Sequence, residues 1–244
     1  MDKGKLNRII DAMKAEDMYQ MIITDPVSIF YLTNAWILPG ERMLALYINV
    51  DGETELFVNK LFPQTKDLGV KITYYDDIED GVEIMSRIVA KDKVIGIDKT
   101  WPSHFLLRLM ELGAGSKFVN GSLIVDKVRQ IKDEKEQELL RISSRINDEV
   151  MADVVEWANK GLSEKELNVK VREIYKAHGC EGVSFDPITA YAGGAADPHH
   201  VTDDSKGKRG DCVLLDIGGF KDNYASDMTR TFFLGEVSDR AREV

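Results

Sequence analysis

The sequence predicts a mixed α/β (α+β) protein built from two parts. In the first half, apolar residues at helical spacing alternate with short, continuous apolar runs that are typical of strands. A stretch without proline or glycine then runs from Lys132 to Asn159. After Gly182 the pattern predicts short strands joined by turns rich in glycine and aspartate. We place the junction after residue 122, which gives domains 1–122 and 123–244.

In the first part, helical and strand-like patterns follow one another. Asp51-Gly52 separates two apolar runs and is a strong signal for a β-hairpin. Gly113 ends the last clear helical pattern of this part. The predicted elements are a helix through Leu6, Ile9, Ile10 and Met13, strands at 21–23, 43–50, 54–58, 70–75 and 94–98, a helix at 82–90, and a helix through Phe105, Leu106, Leu109 and Leu112.

The second part opens with two helices. An apolar stripe from Leu139 to Val155 predicts that the stretch after Lys132 is one long helix, stopped by Gly161. Ser163 and Glu166 form the pattern of a capping box and predict a second helix through Lys176. Ser238 is expected to cap a last helix near the end of the sequence.

Composition limits the classes of function. Of 244 residues, 43% are hydrophobic and 30% are charged, as in ordinary globular proteins. The formal net charge of −10 repels phosphate backbones, so we expect no nucleic-acid partner. No apolar run approaches the roughly 18 residues of a membrane span. Two cysteines, Cys180 and Cys212, are too few for a disulfide framework, and together these features favour a cytoplasmic protein with reduced thiols.

Two aspartates flank a predicted hairpin. With a two-residue turn at Lys221-Asp222, pairing outward places Asp216 opposite Asp227. Directly opposed side chains share a face with Cβ atoms about 4.5–5.5 Å apart, where two carboxylates repel unless a cation lies between them. Oxygen ligands suit a hard divalent ion. The alternative is that one aspartate is a loop or edge residue and the register is different.

Histidine is rare in this chain. His199 and His200 follow Pro198 in a predicted turn, where an exposed pair has no function unless other residues join it. His178 lies at a predicted helix end, where its charge favours the helix dipole. His104 begins a helix in the first part and is expected to be structural.

Taken together, these segments resemble a known family. The runs Ser184-Phe185-Asp186-Pro187 and Pro198-His199-His200, the hairpin 210–219 and the segment 226–231 are similar to those of the pita-bread peptidases: methionine aminopeptidases, Xaa-Pro aminopeptidases, prolidases and creatinases. The segments 31–33 and 39–42 resemble the N-terminal domain of the proline-directed branch. The resemblance covers nearly the whole chain. It implies a creatinase-type N-terminal α/β domain followed by an incomplete pita-bread domain.

The resemblance also implies a site. Asp216 would bind one metal ion and Asp227 would bridge two, most readily Mn²⁺, with Co²⁺ or Zn²⁺ as alternatives. His199 would contact the substrate and stabilise the tetrahedral intermediate, and His200 is a weaker candidate for substrate binding. The implied reaction is hydrolysis of Xaa-Pro bonds by a metal-activated water, in a homodimer. Thr229 and Arg230 would either support Asp227 or serve only the strand.

The family's remaining ligands, one histidine and two glutamates, follow the hairpin at positions beyond residue 244. We therefore expect the sequence to be a fragment of a longer metallopeptidase. The first alternative is a natural truncation that binds peptides or a partner without cutting them. The second is creatinase-like C–N hydrolysis, which works without metal and predicts loss of the two aspartates that this chain retains.

Overall fold

The computed structural model describes residues 1–243. The chain divides into two compact units, Met1–Ile131 and a second that begins at Lys132. The domain limits predicted from the sequence place the junction earlier, at the start of the helix Ser122–Gln130, and those limits stay a prediction.

Strands and helices alternate along the first unit. In chain order its elements are α1 (Lys3–Ala15), β1 (Gln20–Ile23), α2 (Pro26–Thr33), β2 (Ala45–Asn49), β3 (Thr54–Asn59), β4 (Lys71–Tyr75), α3 (Gly81–Ser86), β5 (Val94–Ile97), α4 (Ser103–Glu111), β6 (Lys117–Asn120) and α5 (Ser122–Gln130).

The strands of the first unit form one mixed sheet. Its order is β4-β3-β2-β1-β5-β6, and β2 is antiparallel to both neighbours while the other neighbours pair in parallel. The predicted β2–β3 hairpin is confirmed. Asn49 donates its N–H to the carbonyl of Glu53, so the loop is Val50–Gly52. This loop is one residue longer than the predicted two-residue turn, and Gly52 has a φ of 88°.

Apolar side chains cover both faces of this sheet. Met21 and Ile23 point to the face packed by α1, α2 and α5, whereas Ile22 points to the face packed by α3 and α4. This alternation follows from the period of two along a strand. The first unit is therefore a three-layer α/β domain, with each sheet face buried against helices.

Three elements of the first unit were not predicted from the sequence, and one was predicted too long. They are the helices α2 and α5, of eight and nine residues, and the strand β6. Asp25 caps α2 by accepting N–H bonds from Val27 and Ser28, and Pro26 occupies its first turn. Helix α3 ends at Ser86, not at residue 90 as predicted.

The second unit starts with the two predicted helices, α6 (Glu134–Ala158) and α7 (Glu164–Ala177). Each begins with a complete capping box, Asp133 with Glu136 in α6 and Ser163 with Glu166 in α7. The predicted capping box of α7 is thus confirmed, and the predicted last helix is α8 (Asp239–Glu243), where Ser238 accepts the N–H of Ala241.

Short strands follow these helices. They are β7 (Gly182–Val183), β8 (Ile188–Tyr191), β9 (Cys212–Ile217), β10 (Gly219–Lys221), β11 (Tyr224–Ala225) and β12 (Met228–Phe233). Within residues 132–243 they form two three-stranded sheets, β8-β9-β12 and β7-β10-β11. Val213, Leu215 and Ile217 of β9 are fully buried against apolar residues of α6 and α7.

No helix in residues 1–243 combines the length and the apolar character needed to cross a membrane.

Candidate functional site

The hairpin that carries Asp216 and Asp227 is formed, but its register differs from the predicted one. Asp222 and Asn223 make the turn with φ of 49° and 66°, and Lys221 pairs with Tyr224. A tight hairpin turn of this type needs two residues with positive φ, which Asp and Asn tolerate better than Lys does. The turn therefore lies one residue later than predicted, and every pair shifts by two.

The shift changes the partner of Asp216. Thr229, not Asp227, lies opposite it, and the Thr229 hydroxyl donates to the Asp216 carboxylate at 2.9 Å. Asp227 precedes Thr229 by two residues and lies between β11 and β12, outside both strands. The predicted direct opposition of the two carboxylates is wrong, and their common face stays a prediction. Thr229 supports Asp216 and not Asp227.

The chemistry of these two residues fits a divalent cation in part. Asp216 is half-buried on the face of β9 opposite to the buried Leu215 and Ile217, and Asp227 is exposed. Two carboxylates offer the hard oxygen donors that Mn²⁺ prefers. Among residues 1–243, however, no group of three or more His, Cys, Asp or Glu side chains could hold a metal ion.

Polar side chains of α6 fasten the middle of the hairpin. Ser143 donates to the carbonyl of Gly219 at 3.3 Å, and Asn147 donates to the carbonyl of Ile217 at 3.4 Å. Both side chains are buried, and the hydroxyl of the buried Tyr175 donates to Asn147. Burial raises the pKa of Tyr175, so this phenol stays protonated and keeps its donor role. The hairpin backbone is thus anchored on both sides of Gly218.

Gly218 is closely surrounded by atoms of the opposite side of the hairpin and of the segment after β7. A Cβ atom there would overlap the carbonyl oxygen of Ser226 and the hydroxyl of Ser184, and would lie 2.8 Å from the ring of Phe185. Ser184 donates its hydroxyl to that same carbonyl at 2.8 Å. Only glycine fits at position 218, which lies between the predicted metal ligands Asp216 and Asp227 in the sequence.

The predicted substrate histidines lie in the loop after β8, and they differ in environment. The side chain of His199 is exposed, and its backbone N–H donates to the Asp197 carboxylate at 2.9 Å. The side chain of His200 is only 15% exposed, and its Nε2 lies 2.6 Å from a carboxylate oxygen of Glu164. His199 is therefore available to a ligand, whereas the Nε2 of His200 is already engaged.

Glu164 is the residue of this region that the sequence analysis missed. Its side chain is 1% exposed, and it accepts N–H bonds from Tyr191 at 2.9 Å and from Asp203 at 3.0 Å besides the contact with His200. The sequence shows only an acidic residue in the first turn of a helix, which the helix dipole explains by itself. Its burial depends on a loop that is distant along the chain.

The other two histidines have local roles. His178 caps the C-terminal end of α7, and its ring nitrogens lie 2.9 Å from Asp153 and 3.3 Å from Glu149. This agrees with the predicted helix-end role. His104 lies in the first turn of α4, where it contacts the ring of Phe105 at 3.9 Å between centroids.

Glu41 and Arg42 form an ion pair within the first unit. Arg42 contacts Glu41 at 3.1 Å and makes two hydrogen bonds of 2.8 Å to Asp77. The bond from Arg42 holds the pKa of Asp77 below its ordinary value.

Comparison with known proteins agrees with this arrangement. The model of the creatinase/prolidase N-terminal domain matches residues 5–131, and the model of metallopeptidase family M24 matches residues 138–244. The chain therefore belongs to the proteins with a creatinase/prolidase N-terminal domain, and its second unit is similar to metallopeptidase family M24. The predicted fold class, with a creatinase-type domain followed by pita-bread elements, is therefore confirmed.

Individual relatives extend the comparison. The Xaa-Pro dipeptidase of Pyrococcus furiosus is 28% identical over 248 residues, which is 99% of this chain and 68% of the relative. A dipeptidase of Pyrococcus horikoshii superposes with a TM-score of 0.89 at 27% identity, covering 98% of this chain and 68% of that one. A prolidase of Thermococcus sibiricus gives a TM-score of 0.91 at 25% identity, covering 100% and 69%.

Proposed function

We propose that the protein hydrolyses peptide bonds adjacent to proline, as an Xaa-Pro dipeptidase or aminopeptidase that depends on two divalent metal ions, most readily Mn²⁺, with Co²⁺ or Zn²⁺ as alternatives. The observation that carries the proposal is an anchored hairpin with Asp216 in one strand and Asp227 next to the other, within residues that match metallopeptidase family M24. The names of the Pyrococcus furiosus and Thermococcus sibiricus relatives support the substrate class.

In this proposal each residue of the chain has a defined task. Asp216 and Asp227 would hold metal ions, and bound metal would supply activation of a water and Lewis-acid stabilisation of developing negative charge. Thr229 orients the Asp216 carboxylate through its 2.9 Å hydrogen bond. His199, exposed in the loop between β8 and β9, contacts the substrate. The anchors from Ser143 and Asn147 keep the hairpin backbone in place while substrate binds.

The test is a single charge removal with a matched control. Asp227→Asn should abolish both metal binding and hydrolysis of an Xaa-Pro dipeptide in the full-length protein. Asp222→Asn removes the same charge from the turn of the same hairpin, where Asn tolerates the positive φ of 49°. It should retain both properties. The measurements are metal content by plasma mass spectrometry and release of free proline.

The outcomes separate three functions. Undiminished turnover by Asp227→Asn contradicts the metallopeptidase proposal. A wild-type protein that contains no metal and cuts no peptide favours a binding module that uses the same cleft. Hydrolysis of a creatine-like C–N bond without metal favours the creatinase chemistry.

We also propose that the protein acts as a cytoplasmic homodimer. The proposal rests on the resemblance to two-domain members of the family and on two cysteines, Cys180 and Cys212, that are both free. Light scattering of the purified protein measures the oligomeric state, and a monomer at working concentration contradicts this part of the proposal.

A further inference from the structure

The carboxylate of Glu164 is buried at the first residue of α7, and its surroundings serve one loop. An ionised carboxylate without partners is very costly to bury, so such a group is expected to be paired. Glu164 has three partners, and all belong to the segment 191–203: the N–H of Tyr191, the N–H of Asp203 and the ring of His200. The Glu164 carboxylate thus contacts both ends of this segment and the ring of His200.

The main chain of α7 adds to this attachment. Glu164 donates its N–H to the carbonyl of Ser205 at 3.0 Å, and Lys165 donates to the carbonyl of Asp203 at 3.1 Å. The carbonyl of Glu164 accepts the Thr189 hydroxyl at 2.8 Å. The dipole of α7 favours a negative charge at its N-terminus, which lowers the cost of burying the Glu164 carboxylate.

The His200 ring fills the inside of the loop. A Cβ atom on Gly194 would come within 2.9 Å of the ring carbon Cε1, so the turn Ala192–Ala196 packs directly on the imidazole. The Nε2 atom of the ring lies 2.6 Å from the Glu164 carboxylate, within hydrogen-bonding distance. The ring is therefore held by Glu164 on one side and by the glycine turn on the other.

His199 stands next to this ring on the same short stretch of backbone. Its own N–H is held by Asp197, and the N–H of His200 donates to the carbonyl of Asp197 at 3.1 Å. The side chain of His199 is exposed. The backbone of His199 is fixed while its imidazole remains accessible.

We propose that Glu164 and His200 are a positioning pair that closes the loop 192–202 and orients His199 toward the substrate. The inference rests on the proposed function for the role of His199. It assigns to His200 a role in holding the loop, in place of the substrate contact expected from the sequence.

The experiment compares four variants of the full-length protein. Glu164→Gln places an amide group against one of the backbone N–H donors, and His200→Ala removes the ring. His200→Gln keeps a donor at the site of Nε2 and should restore part of the effect. Glu166→Gln is the matched control, because Glu166 lies in the same helical turn but bonds only to Ser163 and Lys206.

Two readouts are measured on each variant. Hydrogen exchange followed by mass spectrometry reports the protection of the amides of Tyr191 and Asp203. Steady-state kinetics on an Xaa-Pro dipeptide reports kcat and KM separately. Glu164→Gln and His200→Ala should lose protection and lower kcat by about 10- to 100-fold, since a misplacement of about 1 Å has effects of this size. The metal content, the amide protection, kcat and KM of Glu166→Gln should match those of the wild type.

Two outcomes overturn the inference. Unchanged protection in Glu164→Gln and His200→Ala shows that the pair does not close the loop. Lost protection with unchanged kcat shows that the loop does not orient His199. A wild-type protein without hydrolysis contradicts the proposed function, and the exchange measurement then still decides whether the pair closes the loop.

Discussion

The buried pair of Asn147 and Tyr175 gives the most direct test of how the hairpin is anchored. Asn147 is 1% exposed and Tyr175 is fully buried. Asn147→Ala removes the acceptor of the Tyr175 hydroxyl and the donor to the carbonyl of Ile217. A buried polar group left without its partner costs about 1–3 kcal/mol. With two bonds lost, we expect the free energy of unfolding of the second unit to fall by about 2–4 kcal/mol.

A double-mutant cycle isolates the contact between the two side chains. Tyr175→Phe leaves the Asn147 amide oxygen unpaired, whereas the double variant removes both partners together. The double variant should therefore be less destabilised than the sum of the single variants by about 1–2 kcal/mol.

The assay must report the second unit by itself. Trp157 is the only one of the three tryptophans that follows Lys132, so the ¹⁹F resonance of fluorotryptophan at this position follows the second unit during urea unfolding. Asp148→Ala, on the exposed side of the same helix, is the control and should stay within about 0.5 kcal/mol of the wild type. A loss below about 0.5 kcal/mol in Asn147→Ala, or additive single effects, would refute the anchoring role.

Two further predictions concern other buried contacts. Burial alone would raise the pKa of Asp98, but N–H groups of Thr24 and Asp25 and the Ser122 hydroxyl hold it below the ordinary value of 3.8. Asp98→Asn should therefore destabilise the chain by about 3 kcal/mol at pH 7. A group with a lowered folded-state pKa stabilises above its unfolded pKa, so this difference should shrink below about pH 4 in urea titrations, and a constant difference would contradict it. Gly218→Ala should destabilise the second unit by about 2–3 kcal/mol through overpacking. The control Gly182→Ala should cost less than about 1 kcal/mol, because a Cβ atom there meets no atom within 4 Å. Equal unfolding midpoints for the two variants would contradict the close packing around Gly218.

Local signals in the sequence predicted much of the secondary structure. The capping box at Ser163 and Glu166, the long helix after Lys132 and the β2–β3 hairpin are local patterns, and the structure confirms each of them. Helices α2 and α5 were missed because eight or nine residues give too few turns for an apolar period to stand out. The strand order was not predictable in this way, because the pairing of β1 with β5 joins residues that are distant along the chain.

The polar contacts of the second unit were harder to predict than its helices. Ser143 and Asn147 interrupt the apolar stripe of α6, and this interruption is a signal that the sequence analysis did not use. A polar residue inside a buried stripe must find a hydrogen-bond partner, and here the partners are hairpin carbonyls more than 60 residues away. The sequence can therefore indicate that such partners exist, but only the tertiary fold identifies them.

The prediction of a common face for Asp216 and Asp227 does not depend on the wrong register, for a physical reason. Side chains alternate between faces with a period of two, so an error of two residues in the pairing leaves each side chain on its original face. What the error changes is the distance and the partner. Opposed carboxylates would have Cβ atoms about 4.5–5.5 Å apart, whereas diagonal neighbours are separated by somewhat less than about 7–8 Å.

This difference in register changes the electrostatics of the proposed site. In the predicted pairing, each carboxylate faces a like charge and only a cation relieves the repulsion. In the observed pairing, the neighbour of Asp216 is Thr229, which donates a hydrogen bond of 2.9 Å to it. Asp216 is therefore oriented by the protein itself. The strand partner of Asp216 thus contributes orientation to the site, and the turn at Asp222-Asn223 determines which residue that partner is.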